Sequence, residues 1–254
     1  MPTSPAVALL VGDGEQPPAL PGVDLTTTPA DVAVAVGTRA APLLATADAP
    51  RRVLWLTDMD DRRHPPGSPA ARAALEAYTL PVPVVAVARW MAAQLAVLRE
   101  PGAPPVVVAR PGRGDAPLAD AVVAHDGPLR VRAVDDEGRA AVAAMREPAV
   151  LVDDDPDVLV ALPRVAGFPR APLEAFCAGA TAVLTPVTGA DEYVVDGENA
   201  LYTAWDDERG TSRLLDLLAR DRELLMALRE RALATARAWP AEDELGAALT
   251  KMVH

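Results

Sequence analysis

The feature that most constrains this chain is a succession of nine short runs, most of them valine-rich and apolar throughout rather than alternating between polar and apolar residues. They fall at 6–11, 32–36, 53–57, 84–87, 105–109, 129–134, 150–152, 158–162 and 182–185. A strand with one wet face alternates with a period of two. A valine-rich run that is apolar throughout suits a strand buried on both faces, as in a parallel sheet covered by helices. Ala/Leu-rich stretches at 68–79, 88–99, 137–146 and 172–178 separate the runs. Parallel neighbours need crossovers, so this alternation predicts an α/β fold with open parallel sheets. Between 211 and 239 leucines recur at helical spacing, as a packing face, with Asp221 capping a second helix from Arg222 and Pro240 ending it.

A chain of 254 residues allows one large domain or two small ones. Breakers concentrate in Pro101-Gly102-Ala103-Pro104-Pro105 and Arg110-Pro111-Gly112-Arg113-Gly114. The expectation is two compact Rossmann-like parallel-sheet domains, 1–104 and 105–254, the second carrying the C-terminal helices. A formal charge of −12 argues against nucleic-acid and anionic-membrane partners, which need clustered cations. No apolar run approaches the roughly 18–20 residues of a membrane span, and Met1–Ser4 carries no basic leader. A cytoplasmic location is expected. Cys177 is the only cysteine, which removes disulfides and thiolate metal clusters; it reads as a small core residue. Lys251 is the only lysine, and the arginine excess accompanies abundant Ala and Pro, as in a GC-rich coding sequence.

The segment 157–207 carries the chemistry. It reads as strand, loop, helix, strand, loop, with Ala166-Gly167-Phe168-Pro169-Arg170 at the carboxyl end of the first strand and Pro172 in the first turn of the helix. In open α/β sheets such a helix start points amides into the ligand crevice and stabilises a phosphate. Arg164 or Arg170 supplies a neighbouring cation, and Glu174 lies in reach of a ribose. Gly189-Ala190-Asp191-Glu192 forms a second loop on the same rim.

GFPRAPLEAFCAGATAVLTPVTGADEYVVDGENALYTAWDD resembles the donor-binding motif of the family-four glycosyltransferases, retaining enzymes of the GT-B fold. Glu174 matches the second of that family's two motif glutamates, Thr188-Gly189 its glycine loop, and Asp196 to Leu201 its Asp-Gly-x-Asn-Gly-Leu turn. The stretch 53–94 is similar to the end of the acceptor domain in some bacterial members. The resemblance implies a metal-independent hexosyltransferase-like enzyme of carbohydrate biosynthesis, with a nucleotide-diphosphate sugar as donor substrate, no further cofactor and an unknown acceptor. Gly167, Phe168, Pro169 and Leu173 then line the diphosphate, Glu174 the ribose, and Thr188, Gly189 and Glu192 the sugar and phosphate. Arg170 and His64 are the candidate catalytic groups, His64 as a base or acceptor-orienting residue in a polar loop. The chain departs from the pattern at Ala166, which stands at the first motif glutamate, and no Arg-x4-Lys pair is recognisable; Arg130, Arg132 and Arg139 are the nearby cations. The alternative is therefore an inactive relative that binds a sugar nucleotide or serves as a partner subunit; for association, a homodimer or a partner enzyme is the expectation.

Other constellations compete. Asp58-Met59-Asp60 follows a strand and has the form of an Asp-x-Asp metal site, although acidic strand-end turns are common. Asp153 to Asp157 reads as a solvated turn. His125 and His254 lack nameable partners. Gly12-Asp13-Gly14 is too short for a dinucleotide fingerprint.

Overall fold

The computed structural model describes residues 6–11, 24–25 and 30–253. Gly12-Asp13-Gly14 and His254 lie outside these. Each of the nine runs overlaps a strand. The chain divides into two compact units, 1–112 with 242–254, and 113–241.

The first unit is a parallel sheet of β1 (Ala6–Leu10), β2 (Asp24–Leu25), β3 (Val32–Val36), β4 (Arg51–Leu56), β5 (Val84–Ala86) and β6 (Val106–Val108), in the order β2-β1-β3-β4-β5-β6. The short α1 (Gly37–Ala40) follows β3, and α2 (Pro69–Tyr78) and α3 (Arg89–Leu98) are the longer crossovers. Ser68 starts α2 by accepting the Ala71 amide, with Pro69 at the first helical position, where its missing N–H leaves no gap.

The second unit is also parallel: β7 (Leu129–Ala133), β8 (Ala149–Leu151), β9 (Val158–Ala161), β10 (Thr181–Leu184) and β11 (Leu201–Tyr202), ordered β11-β10-β9-β7-β8. Its helices are α4 (Asp136–Ala143), α5 (Arg170–Cys177), α6 (Glu208–Arg220) and α7 (Arg222–Ala238). On one face Leu159, Ala161 and Leu184 pack against Leu173 and Phe176 of α5 and Ala232 of α7. On the other, Leu129, Val131 and Val160 meet Leu215 and Leu218 of α6 and Leu225 of α7. Burial on both faces is why β9 reads as apolar throughout, whereas β7 alternates and keeps Arg132 exposed. In each sheet the order reverses once, between β1 and β3 and between β7 and β9, which marks the crevice where such folds take ligands.

The division between units corrects the expected 104/105 boundary. β6 hydrogen-bonds to β5 and so belongs to the first sheet. The final helix α8 (Leu245–Val253) joins the first unit too. Glu244 accepts the Arg110 amide at 3.0 Å and its guanidinium at 2.6 Å, while Asp243 accepts the Gly112 amide at 2.5 Å. The irregular stretch 113–128 has no counterpart in the pattern of runs. Three arginines along α7 hold it: Arg222 donates to Gly127, Arg229 to Val123, and Arg237 to Ala119 and Asp120. No helix among the described residues is long and apolar enough to cross a membrane.

Candidate functional site

The crevice of the second unit is built by Asp135, the residue after the exposed Val134 at the exit of β7. One carboxylate oxygen accepts the Gly138 amide at 2.7 Å and caps α4, while the other accepts the Leu162 amide at 2.7 Å, tying the exit of β9 to that of β7. A Cβ on Gly138 would stand 2.9 Å from this carboxylate. Above the bridge lies a cavity of about 760 Å³, bordered by the loops after β7, β9, β10 and β11. Leu162, Pro163, Ala140 and the half-exposed indole of Trp205 line it, with Glu137, Arg164 and Glu208 among its charges. Arg164 pairs with Asp206.

The loop leaving β9 runs through Arg164 to α5. Three of the four helices in this unit start on an aspartate that accepts an amide of its own first turn: Asp135 in α4, Asp207 in α6 and Asp221 in α7. The fourth, α5, starts on Pro169 with no side-chain cap. Its first turn begins at Arg170, two residues earlier than expected, which puts Pro172 at the third position. Prolines at 169 and 172 remove two donors. Leu173 is the first residue whose N–H meets an intrahelical carbonyl, so Arg170 and Ala171 carry the first-turn amides of the helix.

Glycine is required where the two rim loops touch. A Cβ on Gly189 would lie 2.2 Å from the Gly167 carbonyl oxygen, closer than any side chain tolerates. Beneath them the Tyr193 hydroxyl donates to the Pro169 carbonyl, and its ring meets Phe168 at 5.4 Å and Trp239 at 5.7 Å. Burial pushes the Tyr193 phenol well up, so it acts only as a neutral brace. Asn199, buried, accepts the Val195 amide and donates to the Tyr193 carbonyl and the Thr235 hydroxyl, which makes the Asp196–Ala200 turn a packing device for this rim.

The structure gathers the expected residues unevenly. Gly167, Phe168, Pro169, Arg170, Glu174, Thr188 and Gly189 belong to the two rim loops and the start of α5. Arg170 and Glu174 are half-exposed and 3.8 Å apart, and Thr188 is exposed. Leu173 is 1% exposed in the core, so its side chain meets no ligand. Glu192 borders a separate cavity of about 470 Å³ with Asn199, Arg231 and Trp239. Cys177 is buried, which raises its thiol pKa. Of the cations proposed to grip a diphosphate, Arg130 donates to the Asp154 and Asp155 carbonyls and Arg139 to Asp136, while Arg132 stands exposed on β7.

His64 lies in the first unit, half-buried, on a cavity of about 470 Å³ with Thr38, Arg39, Asp60 and Arg63. Both carboxylates of the Asp-x-Asp turn are engaged within the protein. Asp60 accepts the Thr38 amide at 3.1 Å and its hydroxyl at 2.5 Å, and Asp58 pairs with Arg63 and accepts the Met59 amide. Among the described residues no group of three or more His, Cys, Asp or Glu is arranged to hold a metal ion. His125, without a nameable partner in the sequence, bridges Asp155 and Asp157 at 3.1 and 2.9 Å.

A family model described as "Glycosyl transferases group 1" matches residues 148–235, within the second unit and less than half of the chain. No curated protein sequence matches significantly. Among solved structures, a sucrose-phosphate synthase from Thermosynechococcus elongatus superposes with a TM-score of 0.69 at 12% identity, over 88% of this chain and 73% of that one. Anabaena HepE in complex with UDP-glucose gives 0.68 at 13%, over 88% and 77%. The pneumococcal O-GlcNAc transferase GtfA, in complex with UDP and GlcNAc, gives 0.59 at 11%, over 87% and 56%. The chain therefore has the two-sheet, Rossmann-like GT-B architecture of these proteins.

Proposed function

We propose that the chain is a GT-B glycosyltransferase that takes a nucleotide-diphosphate sugar on its second unit. It transfers the sugar with retention and without a metal, in the cytoplasm, to an acceptor bound by the first. One observation carries the reading: α5, beside the β7/β9 crevice, is the α-helix of its unit whose start no side chain caps. An uncapped start leaves amides and the positive end of the helix dipole for an anion. The amides of Arg170 and Ala171, with the Arg170 guanidinium, stabilise the leaving diphosphate, and front-face transfer needs little else from the protein. Glu174 accepts the ribose hydroxyls, the Thr188–Gly189 loop orients the sugar, and His64 positions the acceptor. The similarity of 148–235 to the glycosyl transferases group 1 model supports the same assignment.

A second reading has its own observation. Ala166 offers no carboxylate beside the reacting carbon, and proline occupies two of the positions from which α5 would donate. A protein that holds the sugar nucleotide without turnover, alone or beside a partner enzyme, fits this. Calorimetry with UDP-, GDP- and TDP-sugars, followed by assay of donor hydrolysis, separates the readings. Binding with hydrolysis is the expected outcome, binding alone selects the second reading, and no binding removes both. Glu174→Ala is expected to weaken binding by about 1–3 kcal/mol, and unchanged affinity removes the ribose assignment.

A further inference from the structure

We infer that the cavity at the β7/β9 crevice is a guanine site, so that the donor is a guanosine rather than a uridine or thymidine diphosphate sugar. The inference rests on the reading above for the diphosphate and on the cavity's own chemistry for the base. Six carboxylates border the cavity: Asp135, Asp136, Glu137, Asp206, Asp207 and Glu208. Four are engaged. Asp135 holds the Gly138 and Leu162 amides, Asp136 pairs with Arg139 at 2.8 Å, Asp206 pairs with Arg164, and Asp207 caps α6 through the Gly210 amide at 2.8 Å. Among the described residues no hydrogen bond or ion pair engages Glu137 or Glu208, which lie in the first turns of α4 and α6.

A carboxylate only accepts hydrogen bonds. Guanine is the common base that sets two donors side by side, N1–H and the N2 amino group, at the spacing of two carboxylate oxygens. Uracil and thymine present a single N–H between two carbonyl oxygens, which a carboxylate repels. Adenine and cytosine set one amino donor beside a ring-nitrogen acceptor. The indole of Trp205, 51% exposed at the cavity rim in a chain with few aromatics, supplies the flat surface on which a purine stacks. A phosphate is repelled by the same carboxylates, and the loop from Pro163 to Pro169 leads from this cavity to the uncapped start of α5. The base and the diphosphate thus take separate ends of one loop.

The test is calorimetric titration of the full chain with GDP, UDP and guanosine, beside the variants E137Q/E208Q, W205A and W205F. GDP is expected to bind at least about tenfold tighter than UDP, and E137Q/E208Q to bring the two within about twofold. W205A is expected to weaken GDP about tenfold and W205F to recover most of that loss, as stacking energies imply. UDP binding as tightly as GDP, or a preference that survives E137Q/E208Q, overturns the guanine site and leaves the donor reading standing. Guanosine binding without any gain from the diphosphate supports the base site and sinks the donor reading. Absence of binding by all three ligands refutes both.

Discussion

Arg229→Met tests how the second unit is held together. Arg229 and Asp157 are 2% and 1% exposed, with 2.7 Å between guanidinium and carboxylate. Arg229 also donates to the Gly179 carbonyl at 2.8 Å and the Val123 carbonyl at 3.0 Å. Burial lowers its pKa, with Asp157 opposing the shift, so desolvation weighs against a charge that Asp157 helps to hold. Methionine keeps the apolar stem but removes all three bonds. The buried Gly179 carbonyl loses a partner at about 1 kcal/mol and the more exposed Val123 carbonyl at less, and Asp157 keeps only the Arg130 amide and His125. Breaking one side of a buried pair costs about 3–5 kcal/mol, the size expected here. For a unit of this length that is roughly 10–20 °C in melting temperature, read by calorimetry as a shift of one transition. The double variant D157N/R229M should lose less than the two single losses combined, because no lone charge stays buried. A single-variant loss below about 1 kcal/mol, or strict additivity in the cycle, refutes the argument.

Gly189→Ala forces a Cβ to within 2.2 Å of the Gly167 carbonyl, so the rim loops must part; a loss of about 1–3 kcal/mol and of nucleotide binding is expected, by urea titration and calorimetry. Asp135→Ala removes both the α4 cap and the tie to Leu162, with an expected loss of about 1–3 kcal/mol in urea midpoint experiments. Hydrogen bonds from Arg110 hold the Glu244 carboxyl below the usual glutamate range, with burial opposing. A depressed carboxyl stabilises the fold above its unfolded pKa and loses that contribution on acidification. The stability gap between wild type and E244Q should therefore be constant from pH 8 to about 5 and shrink below about pH 4. A gap that persists at pH 3 in denaturant titrations contradicts this.

Most strands were legible because burial on both faces leaves a local trace, a run without alternation, as at 32–36, 84–87 and 158–162, whereas β7 alternates Leu-Arg-Val-Arg and the edge strand β8 is largely exposed. The two-residue strands β2 and β11 are too short to leave one. The boundary was misplaced because Pro101 to Pro105 is rich in breakers for a reason local to one sheet. Arg99 there donates to the Tyr78, Val82 and Pro104 carbonyls, and the chain turns back into β6. The return of 242–253 to the first unit depends on Glu244 meeting Arg110, a pairing 134 residues apart that no local pattern records. The rim loops were found through their place after two apolar runs and through the resemblance of this segment to a glycosyltransferase donor motif. Asp135 and Trp205 were not, since one aspartate after a strand and one tryptophan in a polar turn acquire meaning only when the sheet order places β7 beside β9.

The same aspartates explain why the ligand reading concentrates on one helix. Asp60 already occupies the Thr38 amide after β3, and Asp135 those of Gly138 and Leu162 after β7 and β9. A carboxylate seated on a strand-end amide does what a ligand phosphate would do there, and it repels any phosphate that approaches. Within the second unit this leaves α5, whose start on Pro169 supplies no such carboxylate. Arg170 and Ala171 give two amides where a full first turn without proline gives more, so the grip on a diphosphate is short of donors. In the proposed donor site the Arg170 guanidinium, half-exposed and 3.8 Å from Glu174, is the group that would carry anion affinity. Arg170→Gln should weaken nucleotide diphosphates far more than nucleosides, whereas equal loss for both would place its role in folding α5 rather than in holding phosphate.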